Sequence, residues 1–496
     1  MVKSFNDTSR RDFLKGAIYI GSTTMMSGGI AYGANETINV AVIGCGVMGG
    51  NHIRNFSKLP NVKLIAVSDP DTSRMDAKTV NLPYSVAKYQ DFRHVLDDKT
   101  IDAVVIATPN HWHALMAVMA MQAGKHVYVQ KPVSHSIWEG RQMVNAARKY
   151  NKIVQAGTQH RSCPGVIEAA KDIQAGVYGD VKWVHCSKLE SRNPIGKATG
   201  PFKIPSHIDY NLWAGPTEMS PVMRKSLHYN WHWQWQCGDG EMGNWGIHYV
   251  DDVRHLLGWQ DVPESVIAAG NRYAWNDDGE TPNMHIAMFE QQGVKVVVDI
   301  RNLQDLARPV GSKKRPGGKS GAIFHKSRGG NHIQMSDGFI RISRGGGWAY
   351  DLNGKKVKQY KGNGGRVHEQ NFIDAIGSGK SSDLNCEIGI GHQSTVMCHQ
   401  ANIAYRVGQK HSIEQAIAAM KDHEDAVATL SDMQEQITGV GVDLSKSQMI
   451  LGPKLTFSNN KEQFVGANSE GANAYLKNKY RAPFFMHEIS QARVKY

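Results

Sequence analysis

Between residues 38 and 159, short apolar runs alternate with longer amphipathic segments. Segments such as HALMAVMAMQAG and IWEGRQMVNAARKYN have the periodicity of helices. The apolar runs have the length and β-branched content of strands: INVAVIG, VKLIAVSD, IDAVVIATP, HVYVQKP and IVQAGTQ. Because strands that are buried on both faces are apolar throughout, this alternation predicts an α/β domain with a doubly covered parallel sheet.

Beyond residue 159 the pattern changes. A helix, PGVIEAAKDIQAG, and a strand, VKWVHCSKL, precede a polar loop that reaches about Leu227. ESVIAAGNRY, MHIAMFEQQ and KVVVDIRNL then follow as successive strands, which predicts an α+β domain with a largely antiparallel open sheet. Trp231, Trp233 and Trp235 alternate with polar residues, as on a half-buried strand.

Three segments are therefore expected: a leader over 1–34, a first domain over 35–159, and a second over 160–496. The last contains a loop and hairpin after Ser327. Two helical segments, at 364–380 and 388–409, are expected to return to the first domain.

The leader carries the features of an export signal. Arg10 and Arg11 lie in SRRDFLK, which matches the twin-arginine pattern, and a modest apolar stretch ends near Ala31. We therefore expect the twin-arginine export machinery as a partner and the periplasm as the location. Since that pathway exports folded proteins, a cofactor would be carried out in place.

Composition adds few constraints. Hydrophobic residues at 41% and charged residues at 21% are typical of a globular protein. The net charge of +12 is scattered apart from GSKKRPGGKSG (311–321), which we interpret first as a solvated loop and second as a contact for an anionic substrate. Nucleic acid is not expected as a partner of an exported protein. The six cysteines form no CxxC pair, so no zinc or redox motif is indicated, and a disulfide stays open.

A glycine motif lies where the first predicted strand turns into a helix. Gly44, Gly46 and Gly49 have the GxGxxG spacing, and Asp69 ends the second strand twenty residues later. Such glycines allow a tight turn, close approach of a pyrophosphate, and close packing of helix on strand, with Val47 and Met48 at the start of the helix. The acid would bind ribose hydroxyls and repel a 2′-phosphate, so the motif predicts NAD rather than NADP.

Two further motifs follow neighbouring parallel strands. ATPNHWH (107–113) and VQKP (129–132) fall at carboxyl ends, where ligands of such sheets lie. With the glycine turn, Asp69 and the later His248 and Asp251, they give a chain that resembles the Gfo/Idh/MocA oxidoreductases, the group of glucose–fructose oxidoreductase and inositol dehydrogenase. The resemblance implies a Rossmann domain, an NAD-dependent activity on carbohydrate hydroxyls, and a homo-oligomer.

The resemblance also implies roles for individual residues. Lys131 would hold a substrate hydroxyl beside nicotinamide, and His248 would be the general base. Asn244 and Asp251 flank that histidine. The other positions implied at the cofactor are Thr108, Asn110 and His113. Apart from the resemblance, Gln159, His160 and Arg161 follow the last predicted strand of the first domain and could line the same cleft, where Arg161 could contact an acid group on the substrate. The tryptophans near His232 are expected first to pack in the core, and second to stack with His232 against a sugar ring.

The chain departs from the family pattern twice. Gln130 replaces the glutamate of Glu-Lys-Pro, and Asn244 replaces the aspartate that usually precedes the histidine. On a helix Asn244, His248 and Asp251 or Asp252 would share a face, so an acid could still orient the imidazole. His248, Asp252 and His255 also have a spacing that zinc ligands adopt, but no HExxH motif accompanies them and no metal is expected.

Three functions remain open from the sequence. The first is an oxidoreductase acting on a carbohydrate hydroxyl, with sugars from polysaccharide breakdown as a source. Because a periplasmic enzyme has no NAD pool to exchange, its cofactor must stay bound and be reset in each turnover. The second is a redox-neutral glycosidase or lyase that oxidises its substrate transiently. The third is a non-catalytic sugar-binding protein.

Overall fold

The computed structural model describes residues 37–304 and 329–490. The twin-arginine leader and the basic cluster at 311–321 lie outside these residues. Within the two described ranges, no helix has both the length and the apolar character that crossing a bilayer requires.

The first sheet contains six strands. They are β1 (Ile38–Ile43), β2 (Val62–Ser68), β3 (Ala87–Tyr89), β4 (Ala103–Ile106), β5 (His126–Val129) and β6 (Val154–Ala156). All pair in parallel, in the order β3-β2-β1-β4-β5-β6. This order reverses at β1 and is that of a Rossmann fold. The predicted parallel domain is confirmed.

Helices cover both faces of this sheet. They are α1 (Val47–Phe56), α2 (Thr72–Thr79), α3 (Arg93–Asp97), α4 (Asn110–Gln122) and α5 (Ile137–Lys149), followed by α6 (Pro164–Gln174) and the short α7 (Tyr210–Ala214). Strands β1, β4 and β5 are almost fully buried, which explains their continuous apolar sequence.

A larger sheet follows. Its strands are β7 (Val181–Leu189), β8 (Ser265–Asn271), β9 (Met284–Gln291), β10 (Val294–Arg301), β11 (Gly329–Met335), β12 (Gly338–Ser343), β13 (Gly346–Asp351), β14 (Lys356–Lys361), β15 (Gln409–His411), β16 (Met449–Leu451), β17 (Leu455–Ser458) and β18 (Gln463–Val465). Within this second sheet, β7 and β10 are the only described strands that pair in parallel, so the prediction of a largely antiparallel sheet is confirmed.

The remaining helices follow the first domain along the chain. They are α8 (Ile247–Leu257), α9 (His368–Ser378), α10 (Ile388–Arg406), α11 (Ile413–Ala419), α12 (Glu424–Gly439) and α13 (Ser469–Asn473). Phe372 of α9 packs edge-on against Phe56 and Tyr128 of the first domain. Helix α9 therefore brings late residues to the cleft beside the first sheet.

The prediction of a half-buried strand at the alternating tryptophans is wrong. Residues Asn230–Trp233 form a 3-10 turn, and the chain folds back so tightly that a Cβ at Gly238 would lie 2.7 Å from the carbonyl oxygens of Trp231 and His232. The alternation instead arises from aromatic rings packing around a turn. Met242–Gly246 then forms a π-helical turn that leads into α8.

Candidate active site

A cleft of about 930 Å³ runs along the carboxyl ends of the first sheet. It is lined by the loops after β1, β4, β5 and β6, and on the other side by the segment before α8 and by the β12–β13 hairpin. This is the edge at which open α/β sheets bind ligands. Of the sequence-predicted residues, the cleft contains Gly44, Gly46, Val47, Met48, Asp69, Thr108, Asn110, His113, Lys131, Gln159, His160, His232, Asn244 and His248.

The glycine turn has the geometry that the motif predicts. Gly44 has a φ of +93°, and a Cβ there would lie 2.6 Å from the carbonyl oxygen of Ala107. A Cβ at Gly49 would lie 1.7 Å from the carbonyl oxygen of Gly44, so Gly49 serves helix–strand packing and does not line the cleft. At Gly46 the space is open, with only an Arg74 nitrogen at 3.4 Å.

The start of α1 fits a dinucleotide. No side chain of the described residues caps this helix, so its first-turn N–H groups are available to bind an anion. Val47 and Met48 at its first positions are 68% and 38% exposed, which is unusual for apolar residues beside a cleft. The Thr108 hydroxyl is buried in the cleft without a hydrogen-bond partner in the described chain. The open space at Gly46, the uncapped start of α1 and the unpartnered Thr108 hydroxyl together fit a bound NAD.

Asp69 lies at the far end of this cradle and is 6% exposed. Its carboxylate accepts hydrogen bonds from the backbone N–H groups of Cys45 at 2.6 Å and Asp71 at 2.9 Å. Burial raises the pKa of Asp69 to about 6, against these hydrogen bonds, which lower it. Arg74 also lines this end of the cleft, with Nε 3.6 Å from Asp71.

The loops after β4 and β5 are tied together. The His113 ring lies between the carbonyl oxygens of Thr108, at 2.9 Å, and Pro132, at 2.6 Å. Asn110, at the start of α4, donates to the buried Asp239 carboxylate at 2.8 Å. These contacts hold the two loops in register where a nicotinamide ring would lie.

Lys131 points at the π-helical turn. Its Nζ donates to the Asn244 carbonyl oxygen at 2.5 Å and lies 3.4 Å from the Asn244 side-chain oxygen. Burial lowers the pKa of Lys131 to about 8, and the nearby Glu241 carboxylate opposes that shift. Glu241 is itself buried and paired with Arg192. Lys131 is therefore an ammonium group at neutral pH that is held by oxygen acceptors.

Gln130, which replaces the family glutamate, has its own partners. Its amide contacts His52 Nε2 at 2.6 Å, and His52 Nδ1 lies 3.4 Å from Glu369 of α9. Although burial raises the pKa of Glu369, the neighbouring His52 and a hydrogen bond from Asn55 hold it below its ordinary value. Gln130 lacks the carboxylate of the family glutamate, but it is linked through His52 to the carboxylate of Glu369 on α9.

Two imidazoles face each other beside Lys131. The rings of His160 and His248 stack with centroids 4.7 Å apart and planes 19° apart. Burial lowers the pKa of His248 well below its ordinary value, with His160 and Lys131 adding to that effect. His160 Nδ1 lies 3.0 Å from the Asp252 carboxylate. Asp252 therefore orients His160 and not His248.

Two predicted site residues lie away from the cleft. Arg161 and Asp251 form a buried ion pair, with Nε 2.8 Å from Oδ1, and Ser394 donates to the same carboxylate. A buried guanidinium needs a counter-charge, and Asp251 supplies it. The expectations that Arg161 contacts a substrate acid group and that Asp251 flanks the catalytic histidine are therefore not met.

The suggested substrate residues His232 and Gln159 do line the cleft. His232 stacks on Trp231 with ring centroids 3.7 Å apart, and burial lowers its pKa to about 3, so the ring is neutral. Gln159 donates to the Tyr128 hydroxyl at 3.2 Å. Their predicted substrate contacts stay predictions.

Arg344 and Arg366 also line the cleft, and sequence reasoning did not select them. Arg344 lies on the β12–β13 turn, where its carbonyl oxygen accepts from Gly364 N at 3.0 Å. Both side chains are exposed, and neither forms an ion pair within 37–304 and 329–490. The only nearby signal in the sequence was the glycine-rich hairpin, which does not distinguish a site from a loop.

Other residues that sequence reasoning missed are His52, Asp239, Glu241 and Glu369. Only Glu241 had a signal, since it precedes Asn244 by three residues and such residues are neighbours on a helix. The others reach the site from distant parts of the chain. Among the described residues, no cluster of His, Cys, Asp and Glu has metal-binding geometry.

Comparisons with known proteins agree with this architecture. Inositol 2-dehydrogenase 1 of Saccharopolyspora erythraea is 32% identical over 158 residues, which cover 32% of this chain and 47% of that protein. A glycosyl hydrolase family 109 protein of Solibacter usitatus is 30% identical over 196 residues, covering 35% and 44%. The chain thus matches about half the length of these relatives.

The structure of levoglucosan dehydrogenase in complex with NADH and levoglucosan has the same fold. It superposes with a TM-score of 0.56 at 18% identity, covering 74% of this chain and 96% of that one. An oxidoreductase family with an NAD-binding Rossmann fold matches residues 38–158, and the C-terminal α/β domain of the same family matches residues 190–322. The chain belongs to the Gfo/Idh/MocA oxidoreductase family, and its first domain is an NAD-binding Rossmann domain.

Proposed function

We propose that this protein is an NAD-dependent oxidoreductase that oxidises a CH–OH group of a sugar or polyol. The observation that carries the proposal is the position of Lys131, which lies in the same cleft as the glycine turn and two imidazoles. A bound NAD would accept hydride from the carbinol carbon. The glycine turn, α1 and Asp69 would hold the dinucleotide, and Thr108 would bind near its nicotinamide end.

The chain's own residues supply the rest of the chemistry. The Lys131 ammonium binds the substrate hydroxyl oxygen and stabilises negative charge that develops there. An imidazole of the His160–His248 pair takes the hydroxyl proton. Trp231 and His232 form an aromatic wall against which a sugar ring can pack.

The substrate is proposed to carry an acidic group. Arg344 and Arg366 give the cleft two exposed cations without ion-pair partners in the described residues, and guanidinium groups match carboxylates in geometry. Arg344, rather than the Arg161 of the sequence prediction, takes this role. The Arg344→Gln variant should raise KM for D-glucuronate roughly tenfold or more and leave KM for D-glucose near its wild-type value.

The test of the oxidoreductase is spectroscopic. Purified protein loaded with NAD is mixed with myo-inositol, D-glucose or D-glucuronate, and near-ultraviolet absorbance of reduced nicotinamide is followed. Growth of that absorbance in the wild type, and its loss in Lys131→Met, supports the proposal. The absence of absorbance with every polyol and sugar tested would contradict it.

The second candidate is a redox-neutral glycosidase, which the resemblance to the glycosyl hydrolase family 109 protein favours. It would oxidise a ring hydroxyl, eliminate the aglycone, and return the hydride. Release of nitrophenol from nitrophenyl glycosides, without net NADH, would identify it. Loss of release in Lys131→Met would show that the same site is used.

We also propose export to the periplasm by the twin-arginine machinery, and assembly as a homo-oligomer. The SRRDFLK motif supports export. A variant with Arg10 and Arg11 replaced by lysine should accumulate inside the cell, whereas the wild type should appear in the periplasmic fraction. Light scattering of the purified protein tests the oligomer.

A further inference from the structure

The two stacked imidazoles differ in what holds them. His160 Nδ1 lies 3.0 and 3.2 Å from the two carboxylate oxygens of Asp252. His248 Nδ1 is buried and has no hydrogen-bond partner within the described residues. The resemblance assigns the base to His248, but the acid that should accompany a base is on its neighbour.

The Asp252 contact fixes the His160 tautomer. A carboxylate accepts hydrogen bonds, so Nδ1 of His160 carries the proton and Nε2 keeps its lone pair. His160 lines the cleft that also contains Lys131. An imidazole held by an acid on one nitrogen, with a lone pair on the other, is the arrangement of an oriented general base.

We infer that the proton of the substrate hydroxyl is taken by His160 with Asp252 as its positioning residue, while His248 stacks against it as an uncharged ring. The inference rests on the proposed oxidoreductase function and deepens it. In the step, the substrate O–H bond breaks and the proton moves to His160 Nε2. The C–H electron pair of the carbinol carbon would leave as hydride to a bound NAD, and a carbonyl would form.

The charges around the two rings favour this assignment. Protonation of His248 would place a cation in a buried position facing Lys131, Arg344 and Lys188, and these groups lower its pKa in addition to burial and His160. The imidazolium of His160 would instead lie against the Asp252 carboxylate. A proton on His160 is therefore compensated, whereas a proton on His248 is not.

Asp252 is buried and is held by a second contact besides His160. It is 1% exposed, and its Oδ2 lies 3.4 Å from Nδ2 of Asn331 on β11. Burial raises its pKa and His160 opposes that rise, so its charge depends on the imidazole beside it. The charged and titratable groups that face the pair are Asp252, Asp251 and His248 of α8, Arg161 of its own turn, Lys131 after β5, Lys188 of β7 and Arg344 of the hairpin.

The test compares the two imidazoles by single-turnover reduction of bound NAD with D-glucuronate or myo-inositol between pH 5 and 9. We expect His160→Ala and Asp252→Asn to slow hydride transfer by roughly 10²- to 10³-fold with NAD affinity retained, which is within the range of general-base catalysis. The acidic limb of the pH profile should disappear in His160→Ala. The matched variant His248→Ala should slow transfer less than about tenfold and keep that limb.

Added imidazole separates a chemical role from a structural one. Imidazole should restore part of the rate in His160→Ala, because the vacated space is next to Asp252, and should not do so in His248→Ala. Circular dichroism checks that each variant folds. If Asp252→Asn does not fold, the rescue of His160→Ala by imidazole tests the assignment of His160 by itself.

Rescue confined to His248→Ala, or an acidic limb lost only in that variant, would overturn the assignment of His160. Failure of wild-type protein to reduce NAD with any polyol or sugar tested is a different result. It would overturn the proposed oxidoreductase and the His160 assignment with it. The two failures are therefore distinguishable.

Discussion

Alanine at Gly49 tests the packing of α1 on the glycine turn. A Cβ there would lie 1.7 Å from the carbonyl oxygen of Gly44, whereas real Cβ contacts are not closer than 3.0 Å. The helix or the turn must therefore move by at least about 1.3 Å, the difference between these two distances. Because both atoms belong to the backbone of the cradle, rotation of a side chain cannot relieve the clash.

The expected losses of stability and of NAD affinity follow from the contacts that this shift would disturb. Overpacking of this kind costs about 1–3 kcal/mol of stability. Loss of one or two hydrogen bonds from backbone N–H groups to a charged pyrophosphate costs about 1.5–3 kcal/mol of binding energy. The dissociation constant for NAD should therefore rise roughly 10- to 100-fold, as measured by calorimetry or by NADH fluorescence.

Gly50→Ala is the matched control. It changes the neighbouring residue of the same helix, and its Cβ would meet only the flexible end of Lys78, with Cδ at 2.8 Å. Since alanine favours a helix over glycine by about 1 kcal/mol, this variant should be equally or more stable and bind NAD normally. Wild-type NAD affinity in Gly49→Ala would refute the packing argument.

Four more predictions concern the cleft and the Arg161–Asp251 ion pair outside it. Asp69→Ser should weaken NAD about tenfold, since ribose hydrogen bonds to the carboxylate are lost, and should allow NADP to bind against Arg74, as titrations with both cofactors will measure. Lys131→Met should lower kcat by roughly 10²- to 10⁴-fold without loss of NAD affinity. In the wild type kcat should fall as pH rises through about 8, because the Lys131 ammonium is present below its lowered pKa and is lost above it. Arg161→Ala leaves the Asp251 charge buried and unpaired, so urea unfolding should show a loss of about 3–5 kcal/mol.

Local patterns were sufficient to predict the first domain. Buried parallel strands, the glycine turn and Asp69 are all encoded within about thirty residues, and each depends on backbone geometry that its own residues impose. The cleft residues after β4 and β5 were also predictable, because parallel strands end at one edge of the sheet. Packing of Gly49 against Gly44 is such a local effect.

Partners that meet across the fold were not predictable. Helical spacing suggested that Asp251 or Asp252 would orient His248, but the π-helical turn at Met242–Gly246 and the packing of α8 assign them to Arg161 and His160. The acid behind Gln130 comes from α9, more than two hundred residues later. Such pairs depend on tertiary packing, which a single sequence does not reveal.

We propose that a nicotinamide dinucleotide lies along the start of α1 with its reactive ring beside Lys131 and the two imidazoles. The most direct measurement is the nucleotide content of gently purified full-length protein, by extraction and enzymatic assay, together with titration of the extracted protein by NAD. We expect bound NAD, or saturable uptake of one NAD per chain that Gly49→Ala weakens. Folded protein that neither contains nor takes up NAD would contradict it.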